Sequence, residues 1–241
     1  MASLTDRRTT PSDRATARVV GVLFIAATVF AIVGGSLLLP LDEQDYLGEV
    51  AAQDGQVVSG ALIEMLMVLS VIGIATMLFP VLRRRSEGLA LTYVGTRILE
   101  GVLLLAAAAS ALVVLGLSRD GAPAAQEIGG LALAAREWTY LIGSEVMLGV
   151  SAVILYSVLY AARLVPAWLS LWGLAGGVLI GLGGTLEAYG VELSALAQGL
   201  VAAPIAINEM VLAIRLIAIG FDGPAVTAGE TAPSTAPDPT R

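Results

Sequence analysis

The sequence predicts an all-α integral membrane protein, a bundle of six transmembrane helices with both termini in the cytoplasm. Of the 241 residues, 57% are hydrophobic and 14% are charged, whereas soluble domains contain about 45–50% apolar and about 25% charged residues. Mean hydropathy is +0.85, which places the chain in the membrane class. Six separate stretches are long and apolar enough to cross a bilayer, which takes about 20 residues of α-helix.

The six apolar stretches define the predicted spans. We expect helices because hydrocarbon offers backbone groups no hydrogen-bond partners, and because barrel strands would alternate apolar and polar residues. The first stretch is longer than the about 7–15 apolar residues of a signal peptide, and no small-x-small cleavage site follows it, so we interpret it as a retained anchor. The predicted spans cover residues 18–39, 57–79, 91–116, 138–160, 168–189 and 199–221.

The segments that flank the spans have a different composition. Residues 1–16 and 223–241 are rich in Pro, Thr, Ala and charged residues. We therefore predict disordered cytoplasmic tails on either side of a transmembrane domain of residues 17–222. Before the fourth span, "LALAAREWTYLIG" is predicted to begin a helix outside the bilayer that continues into the span.

The distribution of arginine predicts the orientation. The N-terminal segment holds four arginines, the second connection holds three at 83–85, and the fourth holds Arg163, whereas the first and fifth connections hold none. Arg119 and Arg136 of the third connection are the exceptions. The positive-inside rule therefore places both termini in the cytoplasm. The absence of lysine, with abundant Ala, Gly and Val, indicates a GC-rich bacterial coding bias, so we predict a bacterial cytoplasmic membrane.

The residue types that are missing exclude several kinds of chemistry. The chain has no Cys and no His, and all 13 basic residues are Arg. This excludes disulfides, zinc or haem sites built on those ligands, and a Schiff-base lysine. The net charge of −7 leaves no basic patch for nucleic acid. We predict no enzymatic activity and no cofactor; the expected partners are the lipid bilayer and a small solute or lipid.

Seven of the polar or ionisable residues within the predicted spans form the candidate site. An ionisable group in hydrocarbon costs about 2.5 to more than 10 kcal/mol, so it faces the bundle interior, a partner or a wet cavity. We expect Arg97 to pair with Glu100, which shares its helix face, or with Glu209 across helices. The helix rise places Glu64, Glu145 and Glu209 in a common outer layer. The predicted buried polar network comprises Glu64, Arg97, Glu100, Glu145, Asn208, Glu209 and Arg215.

Three functions are open for this network. In the first, which we favour, it organises the helices of a non-enzymatic membrane protein and lines a small polar cavity. In the second, four of its glutamates serve a secondary transporter or a proton-coupled carrier of a small solute. In the third, a glutamate pair performs acid–base catalysis in a membrane-embedded enzyme, although no nucleophile motif supports it. A wet cavity that reaches the acidic side chains would favour a carrier, and a dry, fully paired network would favour the structural role.

The fifth span carries a ridge of small residues. Gly173, Gly177 and Gly181 are four residues apart, and such a small-xxx-small pattern lets a neighbouring backbone approach closely. We interpret the ridge as helix packing within one chain; a dimer interface is the alternative.

Several blocks of the sequence resemble a known family. "EGLALTYVGTRILEGVLLL", "RLVPAWLSLWGLAG" and "PIAINEMVLAIRLIAIGF" are similar to blocks of the domain of unknown function 4386 family, bacterial proteins with several membrane spans. The family pattern includes the Arg–x–x–Glu of Arg97 and Glu100 and the Asn–Glu–Met at 208–210. In family members, the last basic residue of the final span more often lies close to the Gly–Phe pair at the end of that span. In this chain the last basic residue of that span is Arg215, which lies further from the pair. The resemblance implies architecture and membrane location but no activity.

Overall fold

The computed structural model describes residues 11–120 and 124–222, and most of them are helical. A short 3-10 helix, Leu39–Asp42, follows the first helix, and a π-helix, Ile142–Met147, joins the fifth helix to the sixth. Within the described ranges there is no β-strand. The α-helices are α1 Pro11–Leu37, α2 Tyr46–Ala52, α3 Asp54–Leu82, α4 Glu87–Asp120, α5 Ala125–Leu141, α6 Leu148–Ala161, α7 Ala167–Ala188 and α8 Ala195–Ala218.

The six predicted spans are confirmed as helices. Six helical segments of the described chain are long and apolar enough to cross a membrane. The fourth is the continuous segment Ala125–Ala161, in which α5, the π-helix and α6 follow one another. Helix α1 begins at Pro11, inside the segment 1–16 that was predicted to be a tail. Residues 1–10 and the predicted tail 223–241 lie outside the described residues.

The spans form a closed ring. Each packs against the span that follows it in the chain, and α8 packs back against α1. In this ring α4 and α8 occupy opposite positions. One apolar cluster inside it draws on α1, α3, α4, α6, α7 and α8, with Phe24, Tyr93 and Tyr156 among its largest buried side chains.

The outer surface of the ring is apolar. Ile32, Leu69 and Ile214 are each more than 60% exposed, at 68%, 64% and 62%. Arg97 and Glu100, in contrast, are each 2% exposed. Apolar groups outside and charges inside are the arrangement expected of a helical bundle surrounded by lipid.

The two ends of the ring differ. At one end, here called the terminal end, Arg84 pairs with Asp13 at 2.9 Å and the Asp222 amide donates to the Leu164 carbonyl at 2.7 Å. The opposite end, here called the loop end, carries the 3-10 helix and α2. There Tyr46 donates from its hydroxyl to the carbonyl of Gln126 at 2.7 Å, which ties α2 to the start of α5.

Two helices, α7 and α8, are each followed by a turn that contains a glycine with positive φ. At the loop end, Gly190 has φ +82°, a conformation that L side chains rarely adopt. Its amide donates to the carbonyl of Glu187 at 2.8 Å, and the amide of Val191 donates to Leu186 at 3.1 Å. This pair of bonds is a Schellman motif, which satisfies the last carbonyls of α7. Gly220, at φ +89°, follows α8, and its amide donates to the carbonyl of Arg215 at 3.2 Å.

Glycines bring α6 and α7 into backbone contact. A Cβ on Gly149 of α6 would lie 2.6 Å from the Cα of Gly181 and 2.7 Å from the carbonyl oxygen of Gly177. Gly177 faces Ala152, and Gly173 faces the ring of Tyr156. All three glycines of the ridge therefore pack on α6 of the same chain.

We predict that Gly149→Ala destabilises the protein, because the added methyl group meets backbone atoms that cannot move aside. Overpacking of this kind costs about 1–3 kcal/mol, more than the gain of about 0.5–1 kcal/mol from replacing a helical glycine. Gly116→Ala is the matched control, since a Cβ there meets nothing within 4 Å. Thermal unfolding in detergent should show a lower melting temperature for Gly149→Ala alone. Equal melting temperatures for the two variants would contradict the packing argument.

Candidate functional site

The guanidinium of Arg97 lies at the centre of a buried polar group. Its Nη1 donates to Oε1 of Glu100 at 2.8 Å, and its Nη2 donates to Oε1 of Glu209 at 3.4 Å. Its Nε donates to the Tyr93 hydroxyl at 3.4 Å, and the guanidinium carbon lies 5.7 Å from the centre of that ring. The second oxygen of Glu100 contacts the Ser151 hydroxyl at 3.3 Å. We call these five residues the central cluster.

Helix geometry explains how the cluster assembles. Tyr93, Arg97 and Glu100 are spaced four and three residues apart, so they share one face of α4. Ser151 comes from α6 and Glu209 from α8. Because α4 and α8 are opposite members of the ring, the contact between Arg97 and Glu209 crosses the interior of the bundle.

The central cluster contains one guanidinium and two carboxylates. Glu100 has the short bond to Arg97 and a contact with Ser151. Glu209 has only the longer bond, and its side chain is 15% exposed, compared with 3% for Glu100. Glu209 is therefore the less completely satisfied of the two carboxylates.

A cavity of about 140 Å³ reaches the central cluster. Arg97, Glu100 and Glu209 form part of its wall, together with the hydroxyl-bearing Thr28 and Ser144; the rest is mainly apolar. At about 30 Å³ per water molecule, the space accommodates a few waters or one small solute. The least satisfied carboxylate of the cluster thus faces the space that a ligand could occupy.

A second charged pair lies nearer the loop end. Arg136 of α5 donates two hydrogen bonds to the carboxylate of Glu64, at 2.9 and 2.7 Å, and a third to the carbonyl of Ala107 at 2.9 Å. The guanidinium carbon also lies 5.7 Å from the centre of the Tyr140 ring. Glu64 is 2% exposed, so this pair fastens α3, α4 and α5 together inside the bundle.

The sequence alone predicts that Arg136 is a connection residue and an exception to the charge rule, and its role in the bundle is missed. It lies inside α5 and compensates a buried carboxylate. The sequence did contain one signal of this position: Arg136 lies four residues, or about one helical turn, before Tyr140 in a stretch that is predicted to be helical. The pairing with Glu64 depends on how the helices are turned about their axes, which the apolar pattern does not specify.

The other predicted residues have separate partners. The Asn208 side-chain amide donates to the carbonyl of Leu169 at 3.0 Å and joins α8 to α7. Arg215 donates to the carbonyl of Gly220 at 3.0 Å and pairs with Asp222 at 2.5 Å, so it closes the end of α8.

Glu145 lies in the π-helix, half-buried, with its side chain against Gly184 of α7. It lines a larger cavity of about 550 Å³ at the loop end, together with Glu64, Arg136 and Glu187. Tyr140 lines both this loop-end cavity and the central one.

The seven predicted residues therefore form several groups rather than one network. Glu64, Glu145 and Glu209, which were assigned to a common layer, do not meet: Glu64 binds Arg136, Glu145 faces the loop-end cavity, and Glu209 binds Arg97. The helix rise estimates depth along a helix but not the direction in which a side chain points.

These features define the class of protein: a multi-pass integral membrane protein whose charged side chains face the interior of a ring of six helices. The chain belongs to the family described as Domain of unknown function (DUF4386), whose model matches residues 19–220. The match covers the central cluster and confirms the resemblance seen in the sequence blocks. No curated protein and no solved structure matches the chain.

We predict that Arg97→Gln strongly destabilises the bundle, because it leaves Glu100 and Glu209 without their cation. Removing one partner of a buried ion pair costs about 3–5 kcal/mol. Arg119→Gln is the matched control: Arg119 pairs with Asp54 at 2.9 Å, but both side chains are 54% exposed, and exposed pairs contribute little. Unfolding in detergent is the measurement. Equal losses of stability in both variants would show that the central cluster is not the stabilising contact described here.

Proposed function

We propose that this protein binds and exchanges a proton, or another small monovalent cation, at Glu209, and that it is a proton-coupled carrier of a small solute. The observation that carries the proposal is the charge balance of the central cluster on the wall of its cavity. Two carboxylates share one guanidinium. In a low-dielectric interior an uncompensated charge is costly, so one bound proton or cation neutralises the cluster.

The glutamates of the bundle divide into two kinds, which supports a specific role for Glu209. Glu64 and Glu100 each have an arginine within 2.8 Å, so their charges are compensated within the protein. Glu209 has only a 3.4 Å contact, and no described residue donates a hydrogen bond to Glu145. Glu209 faces the central cavity and Glu145 the loop-end cavity. A cation that moves between the cavities would therefore pass from one available carboxylate to another.

The central cluster also supports a structural role, which is the second candidate. Its specific support is the contact of Arg97 with Glu209, which links opposite helices of the ring. A dry and fully paired cluster would fit that role alone. The cavity beside Glu209, and the long contact of that side chain, favour binding in addition to structure.

We propose a bacterial cytoplasmic membrane as the location, with the terminal end in the cytoplasm. Six arginines of the described chain lie towards the terminal end, at positions 14, 18, 83–85 and 163. The positive-inside rule expects this of cytoplasmic segments. The two exceptions at the other end are both paired, Arg119 with Asp54 and Arg136 with Glu64. The arginines named here number six towards the terminal end and two towards the loop end, and this difference supports the orientation.

We predict that a small cation raises the melting temperature of the purified protein and that Glu209→Gln abolishes this response. A ligand that binds only the native state stabilises it by about 2.7 kcal/mol at a hundred times its dissociation constant. The probes are sodium, ammonium, methylammonium, guanidinium and choline chlorides, tested in detergent at constant ionic strength. Glu43→Gln, a change at an exposed glutamate outside both cavities, is the control and should respond as the native chain does.

A proton as the only ligand gives a different result in a second measurement. In a proton-uptake titration from about pH 8 to about pH 6 in weakly buffered detergent, above the range in which an ordinary glutamate with a pKa of about 4.3 titrates, the native protein should then take up about one more proton than Glu209→Gln, because a glutamine cannot bind one. If no cation shifts the melting temperature and the two titrations coincide, the proposed binding at Glu209 is incorrect. A cation response that persists in Glu209→Gln would assign the binding to another group.

A further inference from the structure

One aromatic side chain lines both the central and the loop-end cavity. Tyr140 lines both of them, and its own side chain is partly buried. The smaller cavity holds Glu209 and the larger one holds Glu145. The ring of Tyr140 therefore belongs to the wall that separates these two carboxylates.

The π-helix lies at the same wall. Within Ile142–Met147, Ser144 lines the central cavity and its neighbour Glu145 lines the loop-end cavity. A π-helix is rare, usually a single widened turn, and is frequent at functional sites. The backbone that carries this wall is thus a segment with irregular hydrogen bonding between two regular helices.

Arg136 holds the wall in place. It lies one helical turn before Tyr140, with its guanidinium carbon 5.7 Å from the ring centre. Its two hydrogen bonds to Glu64 and one to Ala107 attach α5 to α3 and α4. Glu64 also lines the loop-end cavity, so a group that competes for this carboxylate or for Arg136 can reach the pair from that cavity.

From this arrangement we infer that Tyr140 is the gate between the two cavities and that the ion pair of Arg136 with Glu64 keeps it closed. Release of the pair frees α5 and the π-helix to shift, and the central cavity then opens to the acidic loop-end cavity. The inference rests on the proposed function, since a carrier needs controlled access to Glu209. It assigns that control to residues outside the central cluster.

The chain contains no native Cys, so single cysteines can report on access. Ser144→Cys places a thiol in the central cavity, and Glu145→Cys places one in the loop-end cavity. Each is reacted in detergent with a large, charged maleimide, and the rates are compared. In an otherwise native chain, we expect Ser144→Cys to react at least about tenfold more slowly than Glu145→Cys, equivalent to about 1.4 kcal/mol for a closed gate.

Two further changes test the gate itself. Added to Ser144→Cys, either Arg136→Gln or Tyr140→Ala should raise the reaction rate about tenfold, the same 1.4 kcal/mol step. When Arg136→Gln or Tyr140→Ala is added to Glu145→Cys, the reaction rate of that cysteine should change by less than about twofold, well below the tenfold step. Arg119→Gln, which breaks an exposed pair, should change neither rate. Tyr140→Ala leaves the ion pair intact and decides the question if Arg136→Gln does not fold.

Two results would overturn the gate: similar rates at the two cysteines in the otherwise native chain, or a Ser144→Cys rate that Tyr140→Ala leaves unchanged in folded protein. The measurement does not depend on binding at Glu209. Repeating it in the Glu209→Gln background separates the two proposals. If the cation test fails and the gating test succeeds, only the proposed binding at Glu209 is rejected. If the gating test fails and cation binding is observed, only the proposed gate is rejected.

Discussion

A charged side chain in the hydrocarbon layer has no water to stabilise it, and its partners must come from the protein. Arg97 meets this requirement with Glu100 on its own helix and Glu209 on the opposite helix of the ring. The second contact crosses the bundle, so satisfying one guanidinium also sets the relation of α4 to α8. The same contacts place both carboxylates on the wall of the cavity beside the cluster.

The same constraint assigns different roles to chemically identical side chains. Glu64 and Glu100 are 2% exposed and closely paired, and a pair of this kind contributes to the arrangement of the helices more than to net stability. Glu209 shares an arginine that is already engaged and borders a cavity. Two carboxylates share one guanidinium there, so the central cluster has one more acidic group than basic groups.

The six spans and the pairing of Arg97 with Glu100 could be predicted, because apolar length and helical spacing are local properties of the sequence. The contact between Arg136 and Glu64, 72 residues apart, could not, because it depends on the order of helices in the ring and on their rotation. The same limit applies to Glu64, Glu145 and Glu209, because a common depth along their helices does not bring their side chains into contact. The π-helix left no recognisable signal, since its residues continue the apolar pattern of the fourth span.

The packing of the ring makes its two ends unequal. Towards the terminal end, residues such as Leu82, Ala90, Leu159 and Leu216 are at most 1% exposed and fill the interior. Each end also has a cavity: the loop-end cavity, of about 550 Å³, is lined by several carboxylates, whereas one of about 560 Å³ at the terminal end is lined by Arg163 and Asp222. In the gate that we infer, a shift of Tyr140 with α5 and the π-helix would connect Glu209 to the loop-end cavity, whereas a path through the terminal end requires the close-packed core to separate, at the cost of many apolar contacts.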